Sequence, residues 1–291
     1  MDQSLHVFIT VVEQQNFTRA AEILHMTQPA VSSYIQNLER AMNVKLLERT
    51  NKFVRLNKAG EIVYQHAKDI SRLYTRMENL VDDLKHSASG TLSIGSSYTY
   101  GEYILPHKIA YLLKSYPQLN PNIIIKNSNE IIELVMHNQI DVGIIEGEIK
   151  NEKVKITPFA SDHLSITTAS NHYLLNSEKI SSFDLSQETW LIREEGSGTR
   201  EMQEKFFKRL DFYPKKFMIL GSTQAIKESI EAGLGISLLS HSVIKNELEL
   251  GKLKFLDIEG FSIKRNFSLV TLIVKFQTRA TEVFVELLVK K

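Results

Sequence analysis

The chain of 291 residues contains no cysteine. That excludes disulfides, thiolate metal sites and thiol-based redox sensing. It also lacks a long apolar run: no stretch approaches the roughly 20 residues that a helix needs to cross a bilayer, so no membrane partner is expected. The first segment, MDQSLHVFITVVEQQNF, has neither the basic start nor the small-residue cleavage site of a secretory signal. It reads as a helix with Leu5, Phe8, Ile9 and Val12 on one face, in a cytoplasmic protein. An excess of one charge is missing too, since 35 Lys and Arg stand against 34 Asp and Glu. A net charge of +1 gives no global nucleic-acid signature and leaves room only for a local patch. The nine histidines are scattered singly: His107, His137, His163, His172 and His241 show no metal-ligand spacing. With no evident nucleophile–base constellation, neither a metal, nor a cofactor, nor catalysis is expected.

What is present begins at Phe17–Glu39, FTRAAEILHMTQPAVSSYIQNLE. Ala20, Ala21 and Leu24, then Val31, Ile35 and Leu38, recur at helical spacing, giving two short amphipathic helices around a tight turn. Thr18 is placed to cap the first and Thr27 the second, with Pro29 in the first turn where a missing N–H costs little. Opposite the apolar stripe lie Pro29, Ser33, Gln36 and Arg40, a polar face free of acid that suits a major groove. An ordinary helical hairpin with a solvated face has the same periodicity. After Asn43, however, LLERTNKFVRLNKAG reads as two short strands studded with Arg49, Lys52, Arg55 and Lys58. A basic hairpin beside a helix–turn–helix makes a winged helix, with the wing on phosphate and the helix on bases. Residues 1–60 hold seven basic and five acidic side chains, so attraction to phosphate is modest and salt-sensitive.

These segments, AAEILHMTQPAVS…I…LE and VKLLERTNKFVRLNKAGE, resemble the N-terminal domain of LysR-type transcriptional regulators. The resemblance implies base contacts from Gln28, Pro29 and Ser33, with Gln36 in reach. It implies phosphate contacts from Thr18, Ser32, Arg49 and Arg55, and Thr27 and Lys52 are further DNA-binding candidates. Ser33 is shorter than the residue many members carry there, Tyr34 replaces a frequent Gln, and Asn43 stands where Gly is common. Asn tolerates the left-handed conformation that such a position needs.

From Lys58 to His86 there is no proline. Val63, His66, Ile70, Leu73, Met77, Leu80 and Leu84 follow at spacings alternating between three and four, a heptad seam with one polar member. A single helix packed on its own domain is the competing reading. The narrow stripe among Arg72, Arg76, Glu78, Asp82 and Asp83 favours self-pairing instead. A dimer would present two recognition helices to a pseudo-palindromic site. The Ser87–Ala88–Ser89–Gly90 stretch then ends the helix.

Beyond Thr91 strand-like runs alternate with helical ones, LSIGSS to GISLLS, which predicts parallel α/β sheets. The order is similar to a periplasmic-binding-protein fold, with two subdomains and a cleft between them, as LysR-type effector domains have. FSLVTLIVK and TRATEVFVELLVK cross back to complete the first subdomain. The expected fold is therefore an N-terminal winged helix-turn-helix (1–58), a dimerisation helix (59–88) and an α/β effector domain (89–291). Its subdomain I covers about 91–161 and 266–291, and its subdomain II about 162–265.

Open α/β sheets bind ligands beyond their strands' carboxyl ends. Candidates there are Ser96, Ser97 and Thr99, then Ser128 and Asn129. The loop Gly196–Ser197–Gly198–Thr199–Arg200 precedes a helix expected from Glu201. Its glycines, hydroxyls and cation suggest an anion cradle. Ser222 is a weaker candidate. Each single serine is better read as an N-cap, and Arg200 equally well as a surface ion-pair partner. Gly233, Gly235 and Ser240 look structural. The function expected is a DNA-binding regulator modulated by a small anionic metabolite. A solute receptor would share the α/β half but leaves the first ninety residues unexplained, and an enzyme ranks third. Beyond DNA and effector, the resemblance implies a homodimer assembling to a tetramer and RNA polymerase as a further partner.

Overall fold

The computed structural model describes residues 2–49, 53–82, 88–258, 263–274 and 276–289, without the side chains of Arg49 and Asp82. The chain divides into two compact units, Met1–Leu84 and Lys85–Lys291.

The first unit opens with α1 (Gln3–Gln14), α2 (Phe17–Ile23) and α3 (Gln28–Ala41). Each begins on a side chain that takes up an orphan amide: Asp2 accepts from Ser4 N, Asn16 from Arg19 N and Thr27 from Ala30 N. The cap expected from Thr18 is thus supplied by Asn16, whose extended backbone precedes the helix, while Thr18 lies exposed within α2. Gln15, His25 and Asn43 turn the chain at positive φ, and Asn43 takes the left-handed conformation for which it is suited. Val31, Ile35 and Leu38 are buried against Val7, Phe8, Val11, Ala20 and Ala21, the single stripe that the spacing predicted. Next come β1 (Leu47–Arg49) and β2 (Val54–Leu56), antiparallel with Glu48 opposite Arg55. Buried Glu39 ties this wing to α3, accepting from the amides of Leu46 (2.9 Å) and Leu47 (3.4 Å). Then α4 (Lys58–Asp82) runs on as a single helix, anchored to α1 where Lys68 and Tyr64 reach Glu13.

In the second unit, β3 (Gly90–Ser96), β4 (Leu119–Ile125) and β5 (Val142–Glu146) are parallel. They pack on α5 (Tyr98–Tyr103), α6 (Leu105–Ser115), α7 (Ser128–Met136) and α12 (Arg279–Val289). This is subdomain I. Subdomain II contains α8 (Ser182–Gln187), β7 (Thr189–Arg193), α9 (Gly198–Arg209), β8 (Lys216–Leu220), α10 (Thr223–Glu231), β9 (Ser237–Ser240), α11 (Lys245–Glu249) and β10 (Leu253–Leu256). Its core centres on Trp190, whose ring meets Phe206, Phe207 and Phe212 and whose Nε1 donates to Leu185 O (2.8 Å).

The alternation predicts parallel sheets, and the structure adds antiparallel strands where the subdomains join. β6 (Val154–Ala169) and β11 (Ile263–Leu272) are long, antiparallel to each other and common to both halves. They also place β9 and β10 antiparallel to β6. A chain that crosses a two-lobed domain and returns must run in opposite directions in its two crossings, which periodicity does not reveal. The expected division at 161/162 and 265/266 falls inside these two strands.

Candidate DNA-reading face and effector cleft

On α3 the side chains of Gln28, Pro29, Ser33, Gln36 and Arg40 are exposed, and Ser32 is half-buried. Gln28 Nε2 donates to Ser32 Oγ (3.0 Å), which orders the start of the face before any partner arrives. Thr27 is committed to its capping bond. Arg55 is exposed on the wing with its guanidinium 4.8 Å from the centroid of Phe53. Lys52, the side chain of Arg49 and Leu84 lie outside the described residues. Along α4 the seam residues Ile70, Leu73 and Met77 are 46%, 52% and 50% exposed, too much for a helix buried on its own unit. Val63 and Leu80 are half-buried and His66 is exposed.

The centre of the effector domain is a residue that sequence reading missed. Arg265, on β11, is buried and spreads its guanidinium across both subdomains. Nε donates to Asp162 Oδ2 (2.8 Å), Nη1 to Thr199 Oγ1 (2.9 Å) and Nη2 to Thr99 Oγ1 (3.0 Å). Glu146 Oε2 lies 2.8 Å from Nη2. Thr99 lies in the first turn of α5 in subdomain I, and Thr199 in the first turn of α9 in subdomain II. One side chain is therefore bonded to both lobes. The signal available in the sequence was a charged residue, Arg265, set in a strand between Ile263 and the apolar run from Phe267.

A second contact across the lobes is made by Arg193, also buried. It lies over the ring of Tyr98 (4.4 Å), donates to Thr223 Oγ1 (3.1 Å) and is matched by Glu194. Farther out Tyr103 Oη donates to Gln224 (3.2 Å), and Lys227 lies near the same ring and pairs with Glu247. Burial lowers the Lys227 ammonium's pKa and the bonds to Glu247 and Tyr103 outweigh that, so the net direction is up. Glu102, at the edge of this group, has its carboxyl raised chiefly by desolvation.

The other candidates fall into place differently. Ser96 Oγ donates to Ser97 O, and Ser97 Oγ is buried at the carboxyl end of β3. Ser128 is occupied by Glu146, donating to its O and accepting from its N. Ser197 and Ser222 cap α9 and α10. The helix expected from Glu201 starts at Gly198, so Arg200 falls in its first turn. There it pairs with Glu204 and donates to Arg193 O (3.0 Å), the surface-partner alternative. The glycines serve the meeting of the lobes: Asn129 N donates to Gly196 O, and a Cβ on Gly198 would meet Glu146 O at 1.9 Å. The recess outside this loop, about 320 Å³, is lined by Glu195, Glu201 and Glu204 beside Arg200. Three carboxylates to one guanidinium is the wrong balance for the anion cradle that the loop's composition suggested.

A winged helix-turn-helix followed by a two-lobed α/β domain whose lobes meet at a buried polar cluster is the architecture of a ligand-responsive transcription factor. Residues 3–61 match the family model of bacterial regulatory helix-turn-helix proteins of the lysR family, and residues 85–291 match the LysR substrate binding domain. The chain belongs to the LysR family of transcriptional regulators. It is 38% identical to the HTH-type transcriptional regulator CysL of Bacillus subtilis (strain 168), over 98% of this chain and 95% of that one. The fold is that of full-length CbnR solved with its target DNA, at a TM-score of 0.74 and 24% identity, covering 98% of each chain. The regulatory domain of CcmR from Synechocystis PCC6803, solved with 2-PG, matches 69% of this chain and 96% of that one, at a TM-score of 0.62 and 27% identity.

Proposed function

We propose that a small anionic effector binds between α5 and the strand ends of subdomain II, around Ser97, Thr99, Thr199 and Arg265. Its binding there would reset how the two lobes are held. The observation that carries this reading is Arg265, whose bonds to Thr99 and Thr199 come from opposite lobes. A ligand that changes one of them shifts the balance between lobe arrangements by its differential affinity for them. The 2-PG complex of the CcmR domain supports an anionic ligand in a domain of this kind.

On the DNA side, Gln28, Pro29, Ser33 and Gln36 would read bases while Thr18, Ser32, Arg55 and the wing's other cations grip phosphate. The α4 seam would pair two copies, and two dimers would make the tetramer. The reading extends to a cytoplasmic regulator without catalysis. No helix among the described residues is long and apolar enough to cross a membrane. The contact of Ser165 Oγ with His241 Nε2 (2.8 Å) pairs a hydroxyl with an imidazole. That ring is stacked on Phe255, however, and its pKa is lowered by burial and by His163, so it is poorly placed as a base.

The test is a gel shift on the DNA upstream of the regulated gene, with small organic and inorganic anions added. A double variant Thr99→Val, Thr199→Val is expected to bind that DNA normally and to lose the anion response. A full response in that variant would overturn the cleft assignment.

A further inference from the structure

The guanidinium of Arg265 is over-subscribed. Its Nη2 carries two hydrogens but has three acceptors around it: Thr99 Oγ1 at 3.0 Å, Asp162 Oδ2 at 2.8 Å and Glu146 Oε2 at 2.8 Å. Asp162 is served besides by Nε of the same group and by the Ser240 hydroxyl (2.7 Å). Glu146 Oε2 is left over. It is buried and has no aligned hydrogen bond among the described residues, only the charge of Arg265 beside it. A second buried polar atom, Ser97 Oγ, is in the same condition. The two belong to neighbouring strand ends, because Ser97 N donates to Ile144 O (2.8 Å), two residues before Glu146.

Charge points the same way. Two carboxylates, Glu146 and Asp162, surround one cation in a fully buried cluster, leaving one negative charge in excess. The next cation, Arg193, is already matched by Glu194. Glu146 Oε2 has the Arg265 charge beside it but no aligned hydrogen bond, and a ligand's donor would complete it. An anion without a donor would add to the excess and leave Glu146 Oε2 unserved; a hydroxyl beside the anionic group would serve it, and an ammonium would also cancel the charge. An anion that also carries a donor would meet Glu146 with the donor and Ser97 Oγ–H with its negative end.

We infer that the effector bears a hydrogen-bond donor next to its anionic group, an ammonium or a hydroxyl as in an amino acid or a hydroxy acid, and that Glu146 Oε2 accepts from it. This rests on the cleft reading proposed above and narrows it to a class of ligand.

The experiment uses the full chain as wild type, Glu146→Gln and Thr99→Val. Each is melted alone and with L-serine, L-lactate, glycolate, acetate, propionate or inorganic phosphate. Serine against lactate separates ammonium from hydroxyl. The expected result is that donor-bearing acids raise the melting temperature of the wild type while acetate and propionate do not. In Glu146→Gln that preference falls at least tenfold in Kd. Without ligand, Glu146→Gln melts at or above the wild type, since the excess charge is gone. If it melts several degrees lower, Glu146 is only a structural partner of Arg265 and the inference fails. It fails too if propionate stabilises the wild type as well as lactate does. Should no member of the set bind, the ligand-free comparison decides alone. A ligand lost with Thr99→Val but indifferent to its donor overturns this inference only. One untouched by both substitutions binds outside the cleft and overturns the reading beneath it.

Discussion

Arg265 and Asp162 face each other as register partners on β11 and β6, at the level where both strands pass from one lobe to the other. Their bond of 2.8 Å joins the two crossings of the chain, and Thr99 and Thr199 then hang from the same guanidinium. Arg265→Ala would leave Glu146 and Asp162 as neighbouring buried carboxylates with no counter-ion. Removing one partner of a buried ionic group costs about 3–5 kcal/mol. The effector domain's unfolding transition should fall accordingly in urea, with that of the DNA-binding unit unchanged. A loss under about 1 kcal/mol would show that the cluster is solvated and not a hinge pin.

Glu39 is the equivalent fixture of the DNA-binding unit. Its Oε1 accepts from two buried backbone amides, and Oε2 pairs with Lys45, whose side chain is 77% exposed. The surface pair contributes little, so the amides decide the outcome. Glu39→Ala strands both and should cost about 2–4 kcal/mol. Glu39→Gln keeps an acceptor for them and should cost less than half of that. Denaturation of residues 1–84 followed by circular dichroism within the full chain measures the difference. Equal losses in the two variants would mean that the charge, and not the acceptor, holds the wing.

Glu102 gives a pH dependence. Desolvation raises its carboxyl above the usual range, against the pull of Arg193 and Lys227 and with the help of Glu146. The folded chain therefore holds that proton more tightly than the unfolded one. The stability it contributes is complete at low pH and is lost as the pH rises from the ordinary carboxylate value through the raised one. Glu102 is exposed overall, which screens the effect, so at pH 7 Glu102→Gln should melt only slightly higher than the wild type. The two should converge near pH 4. A gap that stays constant with pH would show that the substitution acts through packing instead.

The helix-turn-helix was legible because everything that specifies it is local. Period 3.6, a cap three residues ahead and an Asn at a left-handed turn all fit within a window of a few residues. The cleft was half legible. Thr99 and Thr199 stand at strand-to-helix junctions where open sheets place ligands, and they are found on Arg265. Arg265 itself lies 166 residues from Thr99 and 66 from Thr199. Its role depends on the antiparallel register of β6 and β11, which no short pattern encodes. The glycines of the GSGTR loop are ambiguous for a related reason. Absence of a Cβ permits close approach, and the sequence does not say to what: here Gly198 admits the backbone of Glu146.

Along α4 an apolar seam is left open to solvent. Ile70, Leu73 and Met77 expose about half of their surface on a helix whose first turns are anchored to α1 by Glu13. Seen alone, such a stripe favours association with a second copy by the hydrophobic effect, at roughly 25 cal/mol for each Å² covered. Placing charge in it, as Leu73→Asp with Met77→Asp, should yield a monomer at micromolar concentration by analytical ultracentrifugation, with helix content unchanged. DNA then separates the two roles of the unit. Affinity for a duplex with one half-site should stay as it was, since α3 and the wing are untouched. Affinity for a duplex with both half-sites should drop at least a hundredfold, because the second contact is no longer intramolecular. A double variant that remains a dimer would show that pairing is made elsewhere than along this seam.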